Sequence, residues 1–247
     1  MNIKSYLDST YLKTADQAKI SEKENIVVVQ NFVQETIDEK FKLVMIRPDK
    51  VALAKKLIDS QDSKVLIGTV VGFPEGTNTI EEKLVEAMQA VNDGADELDF
   101  VVNFEAFKLG DLNLVKDEVF QGTQFALQHN KTVKWIIEIA ALNGAQIIQL
   151  TSLIKNVVVA NFKEKDFEDV FVKSSTGFYK TVDGSPNGAT VPAIIAMLEN
   201  AFPLSVKASG GIKTKEEALE MIKLGVKRIG TSSAKAISEG ATVSGEY

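Results

Sequence analysis

The sequence contains no cysteine, and this absence excludes several kinds of functional site. Disulfide bonds, thiolate zinc sites, iron–sulfur clusters and a cysteine nucleophile all require that residue. Histidine occurs once, as His129, which excludes sites built from two or three histidine ligands but still allows a Ser-His-Asp triad. We expect no bound metal, and no other cofactor is implied.

Arginine is almost as scarce, since Arg47 and Arg228 are the only two, and the net charge is −6. Tight binding to nucleic acid usually needs a basic patch, so we expect no nucleic-acid partner. No apolar run approaches the roughly 18 residues of a membrane span, and residues 1–13 lack the apolar stretch of a signal peptide. These absences predict a soluble, cytoplasmic protein with no membrane partner.

What the sequence does contain is typical of a globular protein. The chain has 247 residues, of which 45% are hydrophobic and 25% are charged. This composition excludes disordered and collagen-like chains, and it provides enough apolar residues for a core that needs no metal or disulfide. The length suits either two small domains or one barrel or sandwich.

Short apolar runs alternate with longer amphipathic segments along the chain. The runs are rich in Val, Ile and Phe and end in turn-forming residues, as strands do. We predict strands at residues 6–8, 42–46, 65–71, 97–103, 133–139, 169–174, 205–208 and 227–230. Helices are predicted between them, including residues 79–92, 192–200 and 214–224, where Thr214 caps the helix and Gly225 ends it. On the first of these, Ile80, Leu84, Ala87, Met88 and Val91 share one face.

Eight strand–helix units in a chain of this length predict a (β/α)₈ TIM barrel, formed as a single domain over residues 1–247. A doubly wound open sheet is the alternative. It would need fewer strands or a second domain, and the sequence shows no linker to one.

Charged residues on the predicted strands indicate where the chemistry lies. Because side chains alternate along a strand, Glu97 and Asp99 share the face that points into the barrel, and Lys134 points inward from the next strand. Asp99 and Lys134 could move protons or form a structural ion pair. Lys173 and Lys207 lie near the C-terminal ends of adjacent strands, where barrel enzymes place their chemistry.

Two inward lysines on adjacent strands would be near neighbours. A second cation and partial burial lower the pKa of the first, and a neutral amine is the form that attacks a carbonyl to make a Schiff base. The alternative is that Lys173 and Lys207 are ordinary exposed loop lysines. Asp8 on the first strand either extends the proton relay or serves as a cap or turn residue.

Glycine and serine follow the last two strands. Gly210 and Gly211 come after the seventh strand, and Ser232 and Ser233 follow Gly230 after the eighth. Backbone N–H groups exposed by glycine bind phosphate, and barrels usually hold phosphate in these two loops. Ordinary tight turns are the alternative for each loop taken alone.

These motifs, in this order, resemble those of the deoxyribose-phosphate aldolase family. Two segments are specific together: Val172-Lys173-Ser174-Ser175-Thr176-Gly177-Phe178 and Val206-Lys207-Ala208-Ser209-Gly210-Gly211-Ile212. Further matching segments are residues 7–10, 70–76, 94–99, 133–138 and 230–233, so the resemblance spans nearly the whole chain.

The resemblance implies a class I aldolase that cleaves 2-deoxy-D-ribose 5-phosphate reversibly to acetaldehyde and D-glyceraldehyde 3-phosphate. It implies that Lys173 forms the Schiff base, that Lys207 tunes it, and that Asp99 is the acid/base residue with Lys134 and Asp8 in its proton relay. The substrate and phosphate would be bound by Thr176, Gly177, Gly210, Gly211, Ser232 and Ser233.

The resemblance also implies features beyond the barrel. Members often end in a flexible tail with a final tyrosine, so a tail is expected at about residues 241–247 with Tyr247 as a candidate proton shuttle. A homodimer is expected. The alternatives are another phosphate-binding barrel enzyme of transaldolase or isomerase type, and a catalytically silent barrel that binds sugar phosphates. A metal-dependent aldolase is disfavoured because a single histidine cannot build the usual zinc site.

Overall fold

In the computed structural model, the described residues are 2–182 and 184–241. Eight parallel strands close into a barrel in chain order, which confirms the predicted (β/α)₈ architecture. The strands are β1 (Leu7–Thr10), β2 (Leu43–Ile46), β3 (Leu66–Val71), β4 (Glu97–Val101), β5 (Thr132–Ile136), β6 (Val170–Lys173), β7 (Ser205–Ser209) and β8 (Arg228–Thr231). Apart from Ala241, the predicted tail at about 241–247 lies outside the described residues, and so does Tyr247.

Helices connect the strands and form the outer layer. They are α1 (Ala15–Ala18), α2 (Glu22–Glu39), α3 (Val51–Ser60), α4 (Ile80–Asn92), α5 (Phe104–Lys108), α6 (Leu112–Gln128), α7 (Gly144–Asn161), α8 (Val191–Ala201), α9 (Lys215–Leu224) and α10 (Ala234–Glu239). Short 3₁₀ segments lie at Ile3–Tyr6, Pro48–Lys50, Ile139–Ala141 and Glu164–Asp169. None of the helices within the described ranges has the length and apolarity needed to cross a membrane.

The strand predictions are correct in number and order, but some ends differ. β4 stops at Val101 rather than at residue 103, because the Asn103 side chain accepts a hydrogen bond from the Ala106 amide and caps α5. β1 continues to Thr10, two residues beyond its predicted end, and pairs with both β2 and β8. The pairing of β1 with β8 closes the barrel.

The predicted apolar face of α4 is wrong in part. Met88 is 39% exposed, whereas Lys83 on the same helix is fully buried. The Lys83 ammonium forms an ion pair with Glu118 of α6 and donates to the carbonyl oxygens of Gly76 and Val101, each at 2.7 Å. Hydrophobic periodicity cannot identify such a buried charge, since its partners come from elsewhere in the chain.

The apolar core lies mainly between the strands and the helices, and the barrel interior holds charges. Trp135 of β5 points outward, is fully buried against Gly122 of α6, and donates from Nε1 to Thr123 Oγ1 at 3.0 Å. Its neighbour Lys134 points into the barrel and contacts Asp99. The alternation predicted for β5 is therefore present, and it places polar chemistry inside the barrel.

Candidate active site

Lys173 and Lys207 are brought together at the C-terminal ends of adjacent strands. They are register partners on β6 and β7, and their exposed fractions are 3% and 0%. Both ammonium groups donate to the same oxygen, Asp99 Oδ2, at 2.9 and 3.0 Å. Because both are buried, the alternative that they are exposed loop lysines is wrong.

Asp99 lies at the centre of this cluster. Its second oxygen, Oδ1, accepts a hydrogen bond from Lys134 Nζ at 2.6 Å, so three lysines contact one carboxylate. Burial raises the pKa of Asp99, but the charges of Lys134, Lys173 and Lys207 outweigh it and hold that pKa well below the usual range. Asp99 is therefore an ionised carboxylate at neutral pH.

The pKa of Lys173 is lowered to about 8, and burial is the largest cause. The Asp99 carboxylate opposes the shift, while the charges of Lys207 and Lys134 add to it. The sequence predicts a shift caused by a second cation and partial burial. In the structure, the loss of water around the amine is the larger cause and the Lys207 charge the smaller one. At a pKa of about 8, roughly one amine in ten is neutral at pH 7.

Asp8 is buried on β1 and reaches the cluster through Lys207. Its Oδ2 lies 2.6 Å from Lys207 Nζ, and its Oδ1 accepts from Arg228 Nε at 2.7 Å. Burial raises the pKa of Asp8, but the charges of Arg228, Lys207 and Lys134 together outweigh burial. The net shift of the pKa is therefore downward. Asp8 is a buried member of the cluster, and neither the cap nor the turn alternative applies.

Glu97 and Arg228 complete the cluster, and neither was among the predicted site residues. Arg228 of β8 donates to both Glu97 oxygens, at 2.9 and 3.1 Å, and Glu97 Oε2 lies 2.6 Å from Lys134 Nζ. Burial lowers the pKa of Arg228, but the charges of Asp8 and Glu97 outweigh it and raise that pKa. The signal was present for both residues, since strand alternation places Glu97 beside Asp99 on the inward face and Arg228, one of two arginines in the chain, lies on a predicted strand.

A pocket of about 770 Å³ opens beside Lys173. All six residues predicted to bind substrate or phosphate line it: Thr176, Gly177, Gly210, Gly211, Ser232 and Ser233. Gly210 and Gly211 have φ of +81° and +77°, a backbone conformation that favours glycine. The loops after β7 and β8 therefore form one rim, as the sequence predicts.

Further parts of the pocket lining were missed by sequence reasoning. They come from Leu12 after β1 and from the long connection between β6 and α8, which adds Tyr179, Lys180, Thr181 and Asn187. The described residues of this connection form no helix or strand, and connections of this length often carry function, which was the available signal.

Thr176 is held in place by Glu138, which sequence reasoning also missed. The Thr176 amide donates to Glu138 Oε2 at 3.0 Å, its hydroxyl contacts the same oxygen, and the Phe178 amide donates to that hydroxyl. Burial raises the pKa of Glu138, although its hydrogen bonds to Thr176 oppose the rise. Thr176 thus lines the pocket with its side chain already engaged by the protein.

Within residues 2–182 and 184–241, no group of three or more His, Asp or Glu side chains is arranged to hold a metal ion. The chemistry that the cluster itself can perform is nucleophilic attack by the Lys173 amine, with proton transfer by adjacent carboxylate and ammonium groups.

Comparisons with known proteins identify the family of this chain. A family profile described as DeoC/LacD family aldolase matches residues 5–243. The deoxyribose-phosphate aldolase of Thermococcus gammatolerans is 38% identical over 242 residues, covering 98% of this chain and 97% of that protein. The corresponding enzyme of Lactococcus lactis subsp. lactis is 38% identical over 248 residues, covering 100% of both chains.

A solved structure gives the same result. The tetrameric deoxyribose phosphate aldolase of Aeropyrum pernix superposes with a TM-score of 0.77 and 28% identity, covering 96% of this chain and 89% of that one. The barrel, the buried lysine cluster and the full-length matches agree, and the chain belongs to the DeoC/LacD family of aldolases.

Proposed function

We propose that this aldolase cleaves 2-deoxy-D-ribose 5-phosphate reversibly to acetaldehyde and D-glyceraldehyde 3-phosphate through a Schiff base on Lys173. The observation that carries the proposal is the Lys173 amine, which is buried, borders the pocket and has a pKa of about 8. Relatives named deoxyribose-phosphate aldolase, 38% identical over nearly the whole chain, support the choice of substrate.

The first half of the reaction joins substrate to protein. The neutral Lys173 amine attacks the C1 aldehyde carbon, and the resulting carbinolamine loses water to give an iminium ion. The water leaves with one proton from the amine and one from solvent or a neighbouring acid. Asp99, which lies 2.9 Å from Lys173 Nζ, is close enough to move these protons together with Lys134.

The second half breaks the carbon–carbon bond. A base removes the proton of the C3 hydroxyl, the C2–C3 bond breaks, and its electrons form an enamine with the iminium as D-glyceraldehyde 3-phosphate leaves. Protonation at C2 and addition of water then release acetaldehyde and restore the amine. Asp99 is the proposed base, because its carboxylate is ionised and lies 2.9 Å from Lys173 Nζ, where the substrate is joined.

Lys207, Asp8 and Tyr247 are proposed to assist proton transfer in these steps. Lys207 lowers the pKa of Lys173 and, with Asp8, extends the relay that returns protons to Asp99. Tyr247, for which the family resemblance is the only support, is proposed as a proton shuttle from the C-terminal tail.

The phosphate group is proposed to bind at the glycine- and serine-rich rim of the pocket. Gly210 and Gly211 offer backbone N–H groups, Ser232 and Ser233 add hydroxyls, and Thr176 and Gly177 face them from the β6 loop. Backbone and hydroxyl donors suit a dianion, and they leave the charged cluster free for the aldehyde end.

The proposal is tested by trapping the Schiff base with borohydride in the presence of 2-deoxy-D-ribose 5-phosphate. We expect one covalent adduct, located on Lys173 by peptide mass spectrometry, and acetaldehyde release when borohydride is left out. Lys173→Ala should give neither, while Lys163→Ala, at an exposed loop lysine, should behave as the native chain. An unmodified mass after trapping would contradict the proposal, and cleavage of ketose phosphates instead would favour a transaldolase-type enzyme.

We also propose that the protein acts in the cytoplasm and forms a homodimer. The dimer rests on the family resemblance, and the Aeropyrum pernix relative is a tetramer. Light scattering should give twice the chain mass of 26.9 kDa, and a mass of one or four chains would contradict the dimer.

A further inference from the structure

Six charged side chains form a closed circuit of ion pairs inside the barrel, which we name the charge ring. Its members alternate in sign around the circuit, so each carboxylate lies between two cations. They are Asp99, Lys134, Glu97, Arg228, Asp8 and Lys207. The six residues come from β1, β4, β5, β7 and β8, and all are buried.

One half of the charge ring runs from Asp99 to Arg228 through Lys134 and Glu97. Lys134 Nζ lies 2.6 Å from Asp99 Oδ1 and 2.6 Å from Glu97 Oε2. Glu97 Oε1 in turn lies 2.9 Å from a terminal nitrogen of Arg228. Arg228 therefore stands opposite Asp99 in the circuit.

The other half returns from Arg228 to Asp99 through Asp8 and Lys207. A second terminal nitrogen of Arg228 lies 2.6 Å from Asp8 Oδ1, and Asp8 Oδ2 lies 2.6 Å from Lys207 Nζ. Lys207 Nζ closes the circuit 3.0 Å from Asp99 Oδ2. With three carboxylates and three cations, the charge ring is neutral.

Lys173 is the seventh charge and is attached to the charge ring only through Asp99, at 2.9 Å. The buried interior carries one surplus positive charge when Lys173 is an ammonium, and it becomes neutral when Lys173 loses its proton. Water screens that surplus poorly on the interior side of Lys173, since the charge-ring residues there are buried, although Lys173 also borders the pocket. Charge balance therefore favours the neutral amine.

Few other titratable groups face Lys173. Glu138 lies beyond the end of β5, and Tyr179, Lys180 and Lys213 line the same pocket. The interior positions of β2 and β3 are apolar: Leu43, Met45, Gly68 and Val70. Among the described residues, the charge ring thus dominates the electrostatics on the interior side of Lys173.

We propose that Glu97 and Arg228 are positioning residues of the aldolase reaction, whose opposite charges set how readily the Lys173 ammonium releases its proton. The inference rests on the proposed Schiff-base role of Lys173. Neither residue lines the pocket, so both act through the charge ring and not through contact with substrate. Removing one charge unbalances the interior, while removing both restores the balance.

The pH dependence of kcat/KM for 2-deoxy-D-ribose 5-phosphate cleavage tests this inference. Glu97→Gln leaves the interior more positive, so the midpoint of the acidic limb should move down by about one pH unit. Arg228→Met leaves it more negative, so the midpoint should move up by a similar amount. In the double variant Glu97→Gln/Arg228→Met, the midpoint should return close to its native value.

A merely structural role for the Glu97–Arg228 pair would not produce opposite shifts. Equal midpoints in the native chain and in Glu97→Gln, or in Glu97→Gln and the double variant, would overturn the inference. Arg228→Met takes a partner from two carboxylates. If it does not fold for that reason, Glu97→Gln and the double variant still test the inference. The phosphate of the substrate titrates identically in every variant and cancels in the comparison.

The Lys83–Glu118 pair provides a matched control, since it is also a buried lysine–glutamate ion pair but lies outside the charge ring. Glu118→Gln should lower stability and leave the pH midpoint unchanged. Borohydride trapping is run on every variant. If no adduct is trapped on Lys173 in the native chain, the proposed function is rejected. If every variant gives the adduct but the midpoints of the acidic limb do not move, only the role of the charge ring is rejected.

Discussion

At the scale of single residues, the pKa of Lys173 depends on how completely the amine is removed from water. Its side chain is buried, and Asp99 holds its amine at 2.9 Å. Burial alone lowers the pKa of a lysine, and the neighbouring cations Lys207 and Lys134 lower it further. The exposed lysines of the same chain carry the same amine, but they keep their water and lack the neighbouring cations.

Ser232 provides a residue-scale prediction for the phosphate rim. Ser232→Glu would place a negative charge among the proposed phosphate donors, so KM for 2-deoxy-D-ribose 5-phosphate should rise about tenfold or more through like-charge repulsion. KM for unphosphorylated 2-deoxyribose should stay the same. Steady-state kinetics with both sugars measures the effect.

Ser60→Glu, at the exposed end of α3, is the control for the added charge. Equal rises in KM for both sugars would place the phosphate elsewhere, as would no rise at all in Ser232→Glu.

At the scale of the elements, helix ends follow local rules that can be read from the sequence. Ser21, Thr79 and Thr214 each form a capping box with a glutamate three residues later. The predicted start of α9 at Thr214 is confirmed for this reason. The buried face of α4 is not predictable in the same way, because Lys83 replaces an apolar residue and its partners lie on other elements.

The contact between α6 and β5 provides an element-scale prediction. A Cβ at Gly122 would lie 2.6 Å from the buried ring of Trp135, which cannot move away because Thr123 accepts its Nε1–H. Gly122→Ala should therefore lower the free energy of unfolding by about 1–3 kcal/mol, despite the better helix propensity of alanine. Denaturant unfolding followed by circular dichroism measures the change.

Gly144→Ala is the matched control, because no atom lies within 4 Å of a Cβ at this first residue of α7. We expect it to be neutral or slightly stabilising. Equal stability of the two alanine variants would show that the close approach of α6 to Trp135 is unimportant.

At the scale of the whole molecule, barrel closure brings opposite ends of the chain into one charged interior. Arg228 and Asp8 are 220 positions apart in sequence but contact each other because β8 pairs with β1. Such an interior carries a cost in stability, since a buried ammonium without water destabilises the folded state.

The pH dependence of stability should report that cost. The pKa of Lys173 is about 8 in the folded chain and 10.5 in its ordinary state, so between these values the unfolded chain binds more protons and stability rises with pH. Lys173→Met removes this contribution. The variant should be more stable than the native chain at pH 7, and its advantage should shrink by about 1–3 kcal/mol towards pH 10.

Chemical denaturation of both chains at several pH values gives this difference directly. Lys163→Met replaces an exposed lysine. The difference between its free energy of unfolding and that of the native chain should not change with pH in this way. A stability advantage of Lys173→Met that stays constant with pH would mean that the folded state does not disfavour the ammonium.

The sequence by itself determined the elements and their order, because helix caps, apolar runs and strand alternation act over a few residues. It also placed Glu97, Asp99 and Lys134 on one inward face, since neighbouring strands share a register. Only the tertiary structure decided that Asp8 and Arg228 meet, that Thr176 is held by Glu138, and that Lys173 is fully buried. Electrostatic interactions depend on distance and on exclusion of water, and both are set only when the barrel closes.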